Sequence, residues 1–221
     1  LKLADDLGYE TAWVAETHLS CEVQKAGSQP VIPHFKGEIG LNTDILQLAH
    51  FAFANTKRIG LGSAIRNILC NGGPIAHAEG VRTFSAIREF LAGSDRELHL
   101  GFAAGRFDFS NRPYGIVPRD AIEKIAWPVV KGKVFLEATE IFLRLLKGET
   151  ISRKDIRTQT LKAKDFRNEE EWRKVQKTAG ESGEIQLMPF FNFERLAVIP
   201  REATLRMIQL VIGSHDPEAQ I

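Results

Sequence analysis

The stretch AWVAETHLS, residues 12–20, is an apolar run that stops at Glu16, Thr17 and His18. An imidazole can shuttle a proton near neutral pH, whereas a hydroxyl such as that of Thr17 cannot. His18 and Glu16 are the candidate catalytic residues, and the plainer alternative is a strand that has ended in a loop. Three further stretches invite a ligand. Gly62, Ser63 and Ala64 are small enough for close backbone approach to a flat ring. Gly101, Ala103, Ala104 and Gly105 in GFAAGRFDFS offer the same, with Arg106 placed to pair either with a phosphate or with Asp108. Gly213 and Ser214 end an apolar run, and Asp216-Pro217-Glu218 has the order of a helix start. The backbone amides of 214–217 could thus face an anion, or Ser214 or Asp216 could simply cap the helix.

These residues need elements to hold them. LKLADDLGYE reads as the second half of an amphipathic helix that stops at Gly8, and TAWVA (11–15) as a short buried strand. Residues 20–40 are rich in Gly, Pro and Ser and lack periodicity, which in a compact domain suggests a functional loop. Asn42 or Thr43 can cap a helix DILQLAHFAFAN, and RIGLGSA (58–64) has the pattern of a strand buried on both faces. Pro74 stands in the first turn of a helix that Gly93 ends, ELHLGFAAG (97–105) is a third strand, and RFDFSNRPYGIVPRD is a second long loop. A helix over 120–147 is interrupted near Trp127-Pro128, and TLRMIQLVIGS (204–214) carries a fourth buried strand. Between them the charged stretch 149–183, with weak helical periodicity around Phe166 and Trp172, and its aromatic tail to about 200 form an excursion whose charge is a solvated face.

Alternating strands and helices favour a parallel sheet with crossover helices, in either a doubly wound sheet or a (β/α)8 barrel. No Gly-x-Gly-x-x-Gly follows the first strand, which disfavours a dinucleotide-binding sheet. Four strands are too few for a closed barrel of eight, so the expected fold class is α/β, TIM-barrel type, with about strands 2 to 5 present and residues 1–221 forming one partial barrel domain. The chain starts at Leu1 without Met, inside what reads as a helix, so upstream residues are expected.

Composition narrows the function classes. With 29 Lys+Arg against 28 Asp+Glu, no electrostatic footprint for nucleic acid or an anionic membrane appears. No apolar run reaches about 18 residues and no signal-peptide order is present, so the expectation is a cytoplasmic protein. Cys21 and Cys70 stand outside any disulfide framework or metal-ligand spacing, and no metal is expected.

The order of AWVAETHLS, RIGLGSAIRNILCNGGPIAHAEGVRTF, ELHLGFAAGRFDFSNRPYGI and LVIGSHDPEAQ resembles that of the bacterial luciferase-like flavin-dependent monooxygenases. The resemblance implies that Glu16, Thr17 and His18 line a barrel mouth, with Thr17 standing where the family has the first histidine of Glu-His-His, the one linked to catalysis. It implies that Ser63-Ala64 marks the family's non-proline cis peptide against the flavin ring, that Gly213 and Ser214 receive the flavin phosphate, and that Glu79 has a structural hydrogen-bonding role. Ala103 and Ala104 occupy places where some luciferases have a reactive cysteine and a phosphate-binding arginine. The implied protein uses reduced FMN, O2 and a small organic substrate, with a flavin reductase as possible partner and a homodimer as assembly. Deazaflavin with hydride transfer is the alternative cofactor, and a flavin-binding or structural relative without turnover is the alternative function.

Overall fold

A computed structural model describes residues 1–16, 18–19, 42–92, 96–105, 107–180 and 182–214. The expected loop 20–40, Thr17, Arg106 and the helix start at 216–218 lie outside the described residues.

Helix α1 (Lys2–Asp6) leads to strand β1 (Thr11–Val14), and helix α2 (Ile45–Asn55) to β2 (Gly60–Asn67). Helix α3 (Gly73–Ala92) precedes β3 (Leu98–Ala103). The expected loop after β3 contains a helical turn, α4 (Asp108–Asn111), and a 3-10 turn (Arg112–Tyr114). The helix expected over 120–147 is two, α5 (Ala121–Ile125) and α6 (Trp127–Leu146), with Pro128 in the first turn of α6, where its missing N–H costs nothing. A charged segment then carries β4 (Thr160–Leu161), α7 (Glu169–Ala179) and β5 (Ile185–Gln186), and the chain returns as β6 (Ile208–Ile212).

Strands β1, β2, β3 and β6 form one parallel sheet in that order, and β4 pairs with β5 antiparallel. This mixed α/β arrangement is compatible with part of a TIM-type barrel. Leu98, Leu100 and Phe102 of β3 point into the helix layer and are buried. There Phe102 meets Phe142 and Phe135 of α6 at centroid distances of 5.2 and 6.3 Å. Each such ring contributes about 1.5–3 kcal/mol by leaving water.

The other face is open at β1 and β6, where buried strands were expected, whereas Gly60 to Ser63 of β2 are buried on both faces as the pattern of 58–64 indicated. Trp13, Gly62, His99 and Gln209 lie side by side in register across the four strands, and Trp13 is 52% exposed. Nor is β6 buried: Leu210 and Val211 are 42% and 41% exposed. The apolar runs are real, but among the described residues helices cover one side only.

Below the sheet, at the amino ends of the strands, Asp5 is buried and its carboxylate accepts from the backbone N–H groups of Lys57 (2.6 Å), Arg58 (2.8 Å) and Ile59 (2.8 Å). These bonds, that to Lys57 foremost, pull the Asp5 carboxyl down to about 2. Arg96 works on the same turn from the other direction, donating to the carbonyls of Phe53, Thr56 and Ile59.

The charged segment is tied back to the helix layer. Asn168 caps α7 by accepting from Glu171 N (2.9 Å), Gly180 ends it in a left-handed conformation, and Trp172 and Val175 are its buried residues. Buried Glu137 of α6 accepts from the N–H of Phe190 and Phe191, while burial pushes its carboxyl up. Arg82 of α3 donates to the carbonyls of Leu146 (2.5 Å) and Pro200 (2.7 Å), where the segment leaves and returns. No helix among the described residues is long and apolar enough to cross a membrane.

Candidate functional site

At the carboxyl ends of β1 and β2 the polar residues converge on His18. Its Nε2 stands 2.9 Å from Glu16 Oε1 and its Nδ1 2.8 Å from Asn71 Nδ2. An amide N–H can only donate, so Nδ1 is the acceptor and the ring proton sits on Nε2, donated to Glu16. The Oδ1 of Asn71 in turn accepts from the Tyr114 hydroxyl at 2.5 Å. Asn71 has a φ of 53° and is followed by Gly72 and Gly73 at 90° and 70°, so the NGG of the sequence is a left-handed turn that Asn and Gly tolerate.

Glu16 has a second set of partners. Its Oε2 accepts from the N–H of Ile45 at 3.1 Å and lies 3.7 Å from Arg66 Nη1. The cap of α2 is therefore shared: Asp44, not Asn42 or Thr43, accepts from Leu46 N (2.9 Å), and Glu16 reaches across from β1 to satisfy Ile45. Asn42 is displaced from capping because its side-chain amide donates to the Ala15 carbonyl (3.1 Å).

Arg66 is the hub beneath. Its Nη1 donates to Asp44 (2.9 Å) and its Nε to Nδ1 of buried His77 (2.8 Å), whose Nε2 faces the Cys70 carbonyl at 2.9 Å. Burial, with the Arg66 charge second, drives the His77 imidazolium down to about 3, so this ring is neutral at any physiological pH. Burial likewise pushes the Cys70 thiol up to about 11, and the adjacent Glu16 charge adds to it, which leaves it a poor nucleophile.

Beside this network lies a floor of small residues. The peptide bond between Ala64 and Ile65 is cis, one bond beyond the Ser63-Ala64 pair singled out in the sequence, and the β2–β3 register shifts there. Ala64 and Ile65 are exposed, whereas Ser63 is fully buried on the same strand face as Leu61, and its hydroxyl has no hydrogen-bond partner among the described residues. A side chain at Gly101 would collide with the Ser63 carbonyl, so the shift in β2 demands glycine on β3. A Cβ at Gly213 would come within 2.9 Å of Ile65 and 3.3 Å of Ala103, so the glycine lies directly against these two side chains with no room for a methyl. Ala103 and Ala104 are half-buried, and the Ala104 carbonyl accepts from Asn111, which also accepts from Asn67. Glu79 is exposed on α3.

No family model matches the chain, and no curated protein matches it either. Among solved structures it is similar to the monooxygenase RslO1 from Streptomyces bottropensis, with a TM-score of 0.55 at 15% identity. The fold is shared. The match covers 97% of this chain and 45% of RslO1, so the chain spans less than half the length of that structure. A second similar structure is the oxygenating constituent of 3,6-diketocamphane monooxygenase from Pseudomonas putida, a type II Baeyer-Villiger monooxygenase in complex with FMN. Its TM-score is 0.44 at 19% identity, with 68% of this chain and 33% of that one covered.

Of the residues singled out in the sequence, Glu16 and His18 are hydrogen-bonded to each other, and Gly213 lies against Ala103. Ser63 stands apart from the open face, and Ser214 directly follows Gly213. The residues not anticipated are Arg66 and His77. A charge inside a strand and a histidine on a helix's apolar face were the available signals. Among the described residues no group of His, Cys, Asp and Glu could hold a metal. A cavity of about 680 Å3 lies elsewhere, between α6 and α7, and its Lys133 is already paired with Asp165 at 3.0 Å.

Proposed function

We propose that this chain, residues 1–221, is part of one luciferase-like barrel domain with a charged excursion at 149–200, and that it belongs to a flavin-dependent monooxygenase using reduced FMN and O2 on a small organic substrate. The carrying observation is that the His18–Glu16 pair and a surface of exposed Ala64, Ile65 and Gly213 with half-buried Ala103 both lie toward the carboxyl ends of the parallel strands, where barrels of this kind gather their chemistry. The likeness to RslO1 adds a monooxygenase precedent for the fold.

The floor fits a flat, largely apolar ring, and FMN bound there supplies the redox chemistry with O2. Its phosphate would be held by Gly213, Ser214 and the amides beyond them, with Arg106 as the added cation. Arg66 is not available for that purpose, being committed to Asp44 and His77. Within this reading Glu16 orients His18, the apolar floor shields the side of the ring that lies on it, and His18 holds or moves a proton at Nδ1. A homodimer that covers exposed Leu3, Leu7, Leu210 and Val211 belongs to the same reading, as does a separate flavin reductase. The cytoplasm is its proposed location.

One observation favours a second reading, a flavin-binding relative without turnover: both ring nitrogens of His18 are occupied. Absorbance spectra decide between the two. The purified protein is mixed with FMN, freed of excess, reduced without air and then exposed to it. Retained flavin with a transient peroxyflavin band supports the monooxygenase. Retained flavin that reoxidises with no such band supports the relative without turnover. No retention in either redox state overturns both, and a deazaflavin titrated in the same way then tests the remaining cofactor.

A further inference from the structure

Glycine loses more backbone freedom on folding than any other residue, so one found inside a helix calls for a packing or functional reason. Gly80 of α3 has a packing reason: a Cβ there would stand 3.3 Å from the Leu46 side chain of α2. Gly132, in the second turn of α6, has none. A Cβ there would meet no atom within 4 Å, and the residue lines the cavity of about 680 Å3 between α6 and α7. What its missing side chain leaves is open space in that cavity.

The walls divide by chemistry. Ile125, Val129, Phe166 and Val175 supply an apolar side, and Ile125 is 49% exposed although large and hydrophobic. Phe166 packs on the Trp172 ring of α7 at a centroid distance of 5.3 Å. Four cations, Lys133, Lys164, Arg167 and Lys174, line the same space against two carboxylates, Asp165 and Glu171. Lys133 is paired with Asp165, Lys174 with Glu170 of its own helix at 2.8 Å, and the Glu171 carboxylate accepts from the Asn168 amide at 3.4 Å. Arg167 is exposed and makes no hydrogen bond or ion pair among the described residues.

We propose that this cavity is a second small-molecule site, for a compact aromatic molecule that carries one oxyanion, its ring against Phe166, Ile125 and Val129 and its anion on Arg167. Sites for small ligands are concave, largely apolar, about 300–1,000 Å3 in volume and furnished with a few placed polar groups, and this one has those properties. A guanidinium offers an oxyanion two parallel N–H donors, and the surplus of cations over carboxylates disfavours a cationic ligand. Gly132 keeps room for the ring. The site shares no residue with the network around His18, so it stands or falls separately from the flavin reading.

Fluorescence titration of the flavin-free chain with 8-anilino-1-naphthalenesulfonate tests this, since the dye joins an aromatic body to one sulfonate. The native protein is expected to bind one dye per chain saturably. Gly132→Leu places a side chain in the open space and should weaken binding by about 10-fold or more, with no fall in urea midpoint. Arg167→Ala should weaken it by about 3- to 5-fold and leave the affinity for uncharged N-phenyl-1-naphthylamine unchanged; being on the surface, it carries the test if Gly132→Leu does not fold. Displacement of the dye by 1-naphthoate or 1-naphthyl phosphate, but not by naphthalene-1-methanol, supports the proposal, and the tighter of the two anions names the oxyanion. No saturable binding, equal affinity for the uncharged dye, or binding that both substitutions leave unmoved overturns it. The last is what dye gathered on the open sheet face around Trp13 and Leu210 would give.

Discussion

Both ends of the sheet bury charge, but they neutralise it with different partners. At the amino ends Asp5 is answered by three backbone N–H groups and Arg96 by backbone carbonyls. At the carboxyl ends Glu16, Arg66, His77, Asn71 and His18 answer mainly one another, side chain to side chain. A charge paired with backbone depends on the path of the chain, and any residue sequence that keeps the path keeps the pair. A charge paired with side chains depends on particular neighbours, so its protonation and reach can be altered one residue at a time. The first arrangement secures a fold, and the second can be tuned for chemistry.

Substitutions at the two ends should therefore separate stability from site properties. Asp5→Ala leaves three buried N–H groups without their acceptor and should cause the largest fall in urea midpoint of the substitutions considered, followed by circular dichroism. The folded Asp5 carboxyl, at about 2, lies below its unfolded value of about 3.9, so its stabilisation is complete above the unfolded value and is lost as pH drops toward 2. The native urea midpoint should drop over that window, and Asp5→Asn should flatten the drop. An unchanged profile would mean the backbone N–H groups find other partners.

Next in size, Arg66→Ala should cost about 3–5 kcal/mol, because Asp44 and Glu16 lose their cation and His77 loses its donor in a buried setting. Arg66→Met, which fills the space, should cost less. If the two cost the same, packing rather than pairing is at stake. His18→Gln should change stability by less than about 1 kcal/mol, yet lower turnover on a proton-bearing substrate by about 100-fold or more, which steady-state rates at matched flavin occupancy would show. A control closes the series: Glu169→Ala breaks an exposed pair with Arg173 on α7 and should move the midpoint by no more than about 0.5 kcal/mol.

The architecture was legible because period and punctuation are local. Gly8, Pro74 and Trp127-Pro128 mark helix ends that the structure shows in place, and β1, β3 and β6 fall within the apolar runs while β2 continues past its run to Asn67. The cap of α2 was not legible, since Glu16 reaches Ile45 across 29 positions of sequence and leaves Asn42 to another carbonyl. The same holds for Arg66 and His77, which the sequence separates by 11 positions and a turn joins in space. Glu16 and His18 were legible as polar types after a strand, but the bonds that join them to each other and to Asn71 depend on how the chain folds back and two loops meet. Burial of β6 was overestimated because an apolar run states what a strand could bury and not whether anything covers it.

The Arg82 guanidinium has a consequence for protein engineering. By gripping the chain at Leu146 and again at Pro200, it closes the charged detour with a single side chain, so the ends of about fifty residues are neighbours before anything between them is specified. The detour's interior nonetheless packs on the common core through Ile151, Leu161, Trp172 and Val175, so a reporter or tether belongs on the exposed face of α7 rather than in place of the whole detour.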